Sequence, residues 1–291
     1  MVARIIGDSY PGRFGKKRGE TMTQLVADPT AAVDGYARDG VVMLRRVFDS
    51  EEVAEIARVF TEQVESDQEL GLVDQLPEDD ILSRYPRIVH PHRHPEVEVG
   101  RISRRLMADP RILDVVQALI GPAYGAQSMF YFKPPTARGQ ALHQDNLFLQ
   151  AHPETCLAAW IAVDDCDREN GGLIVLPGSH RIQILCPDED ADPEESFTDK
   201  TIAVPDGVEL VQTQMRAGDV LFFHGSLVHG SRPNRSRDRF RRSLIFHYVP
   251  QSSQEIARFY LPLVGPSGED VLVAESPDGG PCGVGWTSAG H

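Results

Sequence analysis

Cysteine, tryptophan, positive charge and long apolar runs are all scarce in this sequence, and each shortage argues against a class of protein. Its 291 residues hold four cysteines and two tryptophans. Cys156, Cys166, Cys186 and Cys282 form no C-x-x-C pair, which argues against a cysteine-held zinc and leads one to expect reduced thiols in a cytoplasmic protein. Lysine and arginine number 29 against 43 aspartates and glutamates, a net charge of −14. A balance that acidic argues against nucleic acid or an anionic membrane as the main partner. No stretch approaches the roughly 18 to 20 apolar residues that span a bilayer, and no repeat of about 20 to 50 residues is present. The opening MVARIIGDSYPGRFGKKRGET is basic but has no continuous apolar segment before a small-residue cleavage site, so export is not expected. Residues 1–24 are expected to be loosely attached, with Met22 an alternative start.

What is present divides into two textures. Up to residue 122 the pattern is mainly helical. A short helix is expected between Asp28 and Gly40, then a strand over Val41 to Phe48. Asp49 with Glu52 three residues on has the form of a capping box, ahead of Val53, Ile56, Ala57, Phe60 and Val64 on one helical face. Two further helices are expected around Val99–Met107 and Arg111–Leu119, divided by Asp109-Pro110 and stopped by Gly121-Pro122. Between the early helix and these lies VHPHRHPE, with His90, His92 and His94, expected to be a solvated loop, the alternative being a lid that faces a substrate. From residue 123 to 260 about eight short aliphatic and aromatic runs are bounded by Gly, Pro, Asp or Asn. That spacing predicts a sandwich or a jelly roll, the two-sheet arrangements that leave few exposed edges. Residues 25–265 are read as one domain and 266–291 as a loop-rich tail, with Pro187–Glu195 a solvated acidic insertion.

Within ALHQDNLFLQ stand His143 and Asp145, an imidazole and a carboxylate two residues apart. On a strand or strand end, side chains at this spacing project from one face, so the two converge while Gln144 faces away. A metal centre needs a third ligand, and two histidines with one carboxylate is the facial arrangement of non-haem Fe(II) oxygenases. His224 and His229 compete for that role. His229 is favoured because it precedes a Gly-Ser turn just before a basic strand, whereas His224 follows Phe222-Phe223 as a strand end. Twelve residues after His229 comes Arg241, which can grip a carboxylate in a bidentate pair that lysine does not reproduce. Arg242 points to the other face by alternation and is the fallback. His152, His180 and His247 are read as structural.

The order H-Q-D, then D-x-x-x-E-N-G-G-L-x-V-x-P-G-S-H (Asp165–His180), G-D-V-L-F-F, V-H-G-S, P-N-R-S and F-R-R resembles the phytanoyl-CoA dioxygenase family of Fe(II)- and 2-oxoglutarate-dependent oxygenases, over approximately Val41 to Tyr260. The resemblance implies a double-stranded β-helix, a cupin-like jelly roll flanked by N-terminal helices, with His143, Asp145 and His229 on iron, and Arg241 on the distal carboxylate of 2-oxoglutarate. It also implies that Gln144, Trp160, Ser231 and Lys133 line the cosubstrate pocket. Tyr131 and Phe148 are candidates for the substrate side. The cofactors so implied are Fe(II), 2-oxoglutarate and O2. The expected activity is hydroxylation of a small metabolite or natural-product intermediate by a monomer or homodimer. Asp145 stands where related halogenases have a small residue, which favours carbon oxidation. The alternatives are a cupin-like metal enzyme that uses no 2-oxoglutarate, for which Arg241 would have no task, and a non-catalytic binding module on the same fold, which would need no set of three ligands.

Overall fold

Strands beyond residue 122 divide between two sheets, and the chain crosses from one sheet to the other repeatedly, as from Ala123–Tyr131 to Gln140–His143 and on to Leu157–Ala162. The computed structural model describes residues 29–66, 79–153, 156–204, 208–277 and Cys282. The expectations for residues 1–24 and for Met22 lie outside the described residues. The larger sheet runs in the order Val41–Leu44, Val220–His224, Leu157–Ala162, Ser243–Pro250, Ala123–Tyr131, Leu263–Val264 and Asp270–Val271, with Ile88–Val89 also paired to Ala123–Tyr131. The smaller sheet is Gln140–His143, His229–Ser231, Leu173–Val175 and Val211–Gln212. Pairing within both is antiparallel. This is the jelly-roll core, open rather than a closed barrel.

Period-two alternation decides which side chains meet. Phe130, Ala159, Ile161, Phe222, Leu244, Phe246 and Tyr248 point outward from the larger sheet into a cluster with helical residues including Ile56, Phe60, Ile102, Leu106, Ile112 and Val116. Phe60 stacks on Phe130 with centroids 4.0 Å apart. Met129, Tyr131, Trp160, Leu221, Phe223 and Ile245 point inward, against Leu173 and Val175 of the smaller sheet. The functional side chains project into this inner space.

The helices form where the sequence signals them. Asp49 accepts from the backbone N–H groups of Glu51 and Glu52, and Glu52 accepts from that of Asp49, so the capping box opens the helix Ser50–Glu65. Glu98–Met107 and Pro110–Ile120 follow, the second capped by Asp109 with Pro110 in its first turn. They lie on the outer face and cover it.

Several motif residues prove to be backbone clamps. Asn170 donates to the carbonyls of Asp165 and Phe240, and Asn234 to those of Lys133 and Arg239. Ser179 accepts from Val228 N–H, bracing the segment just before His229. Gly171 has φ +78°, and a Cβ there would meet Arg232 O at 2.5 Å and Lys133 Cδ at 2.7 Å, so only glycine lets that turn lie over the Lys133 stem.

Four expectations are corrected. The strand through ALHQDNLF stops at His143, and Asn146–Leu149 is a helical turn that the Asn146 side chain closes by bonding both backbone groups of Ala151. His90 and His92 are 0% and 1% exposed, not solvated, because Ile88–Val89 adds to the larger sheet and draws the following turn inward; His94 stays half-buried beside Glu96. The tail is not all loop: Asp270–Val271 pairs with Leu263–Val264, and Ala274–Glu275 with Glu255–Ile256. Cys186 and Cys282 form a disulfide across 96 positions, which overturns the reduced-thiol expectation for that pair. Near-neighbour spacing carries no information about so distant a contact. Cys156 and Cys166 are buried thiols.

Candidate metal centre

His143 ends one strand of the smaller sheet and His229 begins the next, and the register sets them directly opposite each other, ring centroids 4.3 Å apart. Asp145 follows on the helical turn. One Asp145 oxygen, Oδ1, is 3.5 Å from Nε2 of His143 and 3.5 Å from Nε2 of His229. The three ligand atoms lie within 4.8 Å of one another, and all three side chains are buried. Each histidine is set for the role by its own backbone: Nδ1 of His143 lies 2.8 Å from Ala141 O and Nδ1 of His229 lies 3.0 Å from Leu227 O. Nδ1–H donation to these carbonyls leaves both Nε2 lone pairs turned to the shared position. Burial, partly offset by Asp145, pushes His229 down to about 4, so it is a neutral ligand at physiological pH. Burial alone would raise the Asp145 carboxyl, but the surrounding His229, His247 and His143 rings hold it well below its ordinary range.

His224 does not join them. It faces His180 and Tyr36 on the other side of its strand, and its Nδ1 accepts from Ser226 N–H. Alternation along Leu221–Phe223–His224 separates it from the inner space.

Across the inner space lies a second polar group. Arg241 N–H bonds Lys133 O, so the two residues are neighbours at the ladder's end. Arg241 is 3% exposed and Lys133 2%. Arg241 Nη1 donates to Ser243 Oγ at 3.0 Å, its guanidinium lies 5.6 Å from the Trp160 ring centroid, and its Nε has no hydrogen-bond partner among the described residues. Lys133 Nζ donates to Ser231 Oγ, Arg232 O and Gly171 O. Burial first and Arg241 second push the Lys133 amine well down from its usual value. Among the described residues no ion pair to a carboxylate is found for either cation. Arg242, by contrast, is bonded to Asp164 through Nε, Nη2 and its backbone N–H, on the opposite face. A buried guanidinium with no counter-anion among the described residues, beside a buried amine and facing a site of two imidazoles and a carboxylate, fits a metal with an anionic chelate between them.

Gln144 turns away from this space: its amide donates to Ser226 O and accepts from Leu185 N–H. Tyr131 projects inward with its hydroxyl 3.1 Å from Arg87 Nη1, and Phe148 lies edge-on to His143 at 6.1 Å. Three neighbours of the centre are not among the site residues that the sequence alone suggests. His247, which the sequence pattern marks as structural, places Nε2 3.0 Å from Asp145 Oδ2. Gln140 brings its amide to 3.3 Å from His143 Nε2. Gln127, across the ladder from His247, has both amide atoms buried without a hydrogen-bond partner among the described residues. The available signal for His247 was its place two, four and six positions beyond Ile245, Ser243 and Arg241 on one strand face.

A jelly roll carrying this triad is the arrangement of the non-haem Fe(II) oxygenases. The family model of phytanoyl-CoA dioxygenase (PhyH) matches residues 36–243, and the chain belongs to that family. It is 36% identical over 127 residues to "Phytanoyl-CoA dioxygenase 1" of Oryza sativa subsp. japonica, covering 42% of this chain and 43% of that protein. To "Phytanoyl-CoA dioxygenase, peroxisomal" of Rattus norvegicus it is 31% identical over 176 residues, covering 57% and 50%. The chain thus spans about half the length of the curated relatives it matches. Among solved structures, the epimerase SnoN in complex with Fe3+, alpha ketoglutarate and nogalamycin RO superposes with TM-score 0.63 at 24% identity, covering 88% of this chain and 98% of that one. The carbocyclase SnoK from nogalamycin biosynthesis gives TM-score 0.61 at 25% identity, covering 77% and 85%. Fe(II) and 2-oxoglutarate are the metal and cosubstrate that go with this triad and this family.

The cytoplasmic expectation is corrected, since the relatives from rat, mouse, cattle and human are all named peroxisomal. Acidic composition and thiol count do not report an address. No helix among the described residues is long and apolar enough to cross a membrane.

Two buried histidines outside the triad make stability depend on acidity. Burial, reinforced by Arg93, pushes His92 down to about 3, and burial with nearby His180 pushes His224 down to about 4. In the unfolded chain both protonate near 6.5, so between about 6.5 and 4 the unfolded state binds more protons. Stability is therefore full above about 6.5 and falls as pH drops through that window, by at most about 1.4 kcal/mol per pH unit for each ring. Urea midpoints of the metal-free protein should fall between pH 7 and pH 5, and His224→Gln should lessen the fall.

Proposed function

We propose that the protein is a non-haem Fe(II)- and 2-oxoglutarate-dependent dioxygenase that hydroxylates an unactivated C–H bond of a small metabolite or natural-product intermediate, releasing succinate and CO2. The observation that carries this reading is the pairing of an oxygenase triad with Arg241, a buried cation that has no acidic partner among the described residues. His143, Asp145 and His229 would hold the metal. When bound, Fe(II) would activate O2, the oxidant, with 2-oxoglutarate supplying two of the four electrons and the substrate C–H the other two.

The chain's own residues do the rest. Ala141 and Leu227 carbonyls fix the imidazole tautomers. Arg241 is assigned to the distal carboxylate of the cosubstrate, for which its Nε, without a hydrogen-bond partner among the described residues, is a donor, with the Trp160 ring beside the guanidinium. Lys133 has its Nζ occupied by Ser231, Arg232 and Gly171, so it is assigned to position Ser231. Gln144 is given no part in binding; it braces the loop. Tyr131 and Phe148 are assigned to the substrate side, where their aromatic faces exclude water from the reacting carbon.

A cupin-like enzyme that uses no oxoacid gives Arg241 nothing to bind, and burying an unpaired guanidinium is costly. Anaerobic addition of 2-oxoglutarate to the Fe(II) protein should produce a weak visible charge-transfer band; its absence would sink the assignment. A metabolite screen by succinate release then identifies the substrate, and mass analysis of the product separates hydroxylation from epimerisation or ring closure, the reactions named for SnoN and SnoK.

A further inference from the structure

The two oxygens of Asp145 have different neighbours. Oδ1 is equidistant, at 3.5 Å, from Nε2 of His143 and of His229, so it is the oxygen turned to the shared metal position. Oδ2 is 3.0 Å from Nε2 of His247. His247 arrives from the other sheet, on the inner face of Ser243–Pro250, across the ladders from Gln127 and Ala158. It is 102 residues from Asp145 in sequence and 2% exposed, so water hardly competes for the contact.

We propose that His247 is a positioning residue for the metal: by donating its Nε2–H to Oδ2, it restricts Asp145 to a single ligating oxygen, Oδ1. The inference rests on reading the triad as an Fe(II) site. A carboxylate can bind an ion through one oxygen or both, and nothing in a freely rotating aspartate prevents the second mode. If both oxygens bound, one more position of an octahedral ion would be filled by protein. Three protein atoms leave three positions, enough for a chelating oxoacid and dioxygen; four do not. A hydrogen bond on the non-ligating oxygen occupies its lone pair and fixes the carboxylate plane, the kind of outer contact that orients metal ligands. A neutral imidazole suffices, since only one N–H is needed. The chain already treats its ligating histidines this way, tying the ring nitrogen that faces away from the metal to a carbonyl.

The competing account is that His247 fills space in the core and bonds Asp145 incidentally. Full-length protein with His247→Gln keeps an amide N–H near the same reach, whereas His247→Leu keeps bulk and loses the donor. Each variant is titrated anaerobically with Fe(II) and, separately, with Co(II), whose visible spectrum reports coordination number; circular dichroism and thermal midpoints check the fold. His247→Leu is expected to bind either ion about 10- to 100-fold more weakly, with an altered Co(II) spectrum, and His247→Gln to recover affinity to within a few-fold. If His247→Leu does not fold, His247→Met replaces it as the variant without a donor. Wild-type affinity and spectrum in a folded donor-free variant overturn the proposal. So does an equal loss in His247→Gln and the donor-free variant, which would assign the effect to ring shape. Failure of the wild-type chain to bind either ion is a different result, because it removes the metal site itself.

Discussion

Asp145→Ala is expected to abolish stoichiometric iron binding and to lower 2-oxoglutarate turnover on the order of a thousandfold or more, the scale set by several kcal/mol of metal-derived stabilisation at about 1.4 kcal/mol per decade. The carboxylate is the charged member of the triad. Without it, two imidazoles face the ion with no anionic partner, and His247 loses its acceptor. The fold should survive, because the helical turn that carries Asp145 is closed by Asn146 and Ala151 and by the Asn146 N–H to Gly225 O, none of which involves the carboxylate. Metal content after anaerobic loading and gel filtration, with succinate quantified in parallel, checks both halves. Full iron occupancy in Asp145→Ala would mean that the ion is held elsewhere.

The second large effect concerns Arg241. A guanidinium buried to 3% exposure next to the Lys133 amine is unfavourable until an anion joins it. Charge-assisted hydrogen bonds to a carboxylate contribute about 1.5–3 kcal/mol, so Arg241→Leu should weaken 2-oxoglutarate binding roughly 10- to 150-fold. Arg241→Lys should fall between, since an ammonium cannot form the bidentate pair. The distinguishing feature is stability. Removing an unpaired buried charge should hold or raise the thermal midpoint of the protein without cosubstrate while affinity falls, and Fe(II) binding should not change. Calorimetric titration of 2-oxoglutarate into the Fe(II)-loaded variants under anaerobic conditions, beside thermal scans, tests the pair of effects. Equal affinity in Arg241→Leu would move the carboxylate contact to another residue.

Local chemistry was legible in the sequence because it depends on near neighbours. The capping box at Asp49–Glu52 needs only three residues, and the helices around Asp109-Pro110 need only a cap and a stop. His143 and Asp145 declared their common face through their spacing, although the chain meets that geometry with a strand end and a helical turn instead of one continuous strand. His229 is the ligand rather than His224, although Gly230 and Ser231 continue its strand and make no turn after it; alternation and register, set by the backbone, are what part the two rings.

What tertiary structure alone decided are the contacts made across strand register and between sheets. His247 reaches Asp145 because its strand faces the helical turn that carries Asp145, 102 residues away in sequence, and no local pattern encodes that distance. The same holds for Cys186 with Cys282, and for His90 and His92, whose burial depends on two residues pairing at a sheet edge. The sequence by itself determined which residue types could hold a metal and an anion, because those follow from side-chain chemistry and the two-residue repeat of a strand. Which oxygen of Asp145 faces the ion, and which distant imidazole holds the other, required the register, because antiparallel pairing is settled by the packing of the whole core and not by any segment within it.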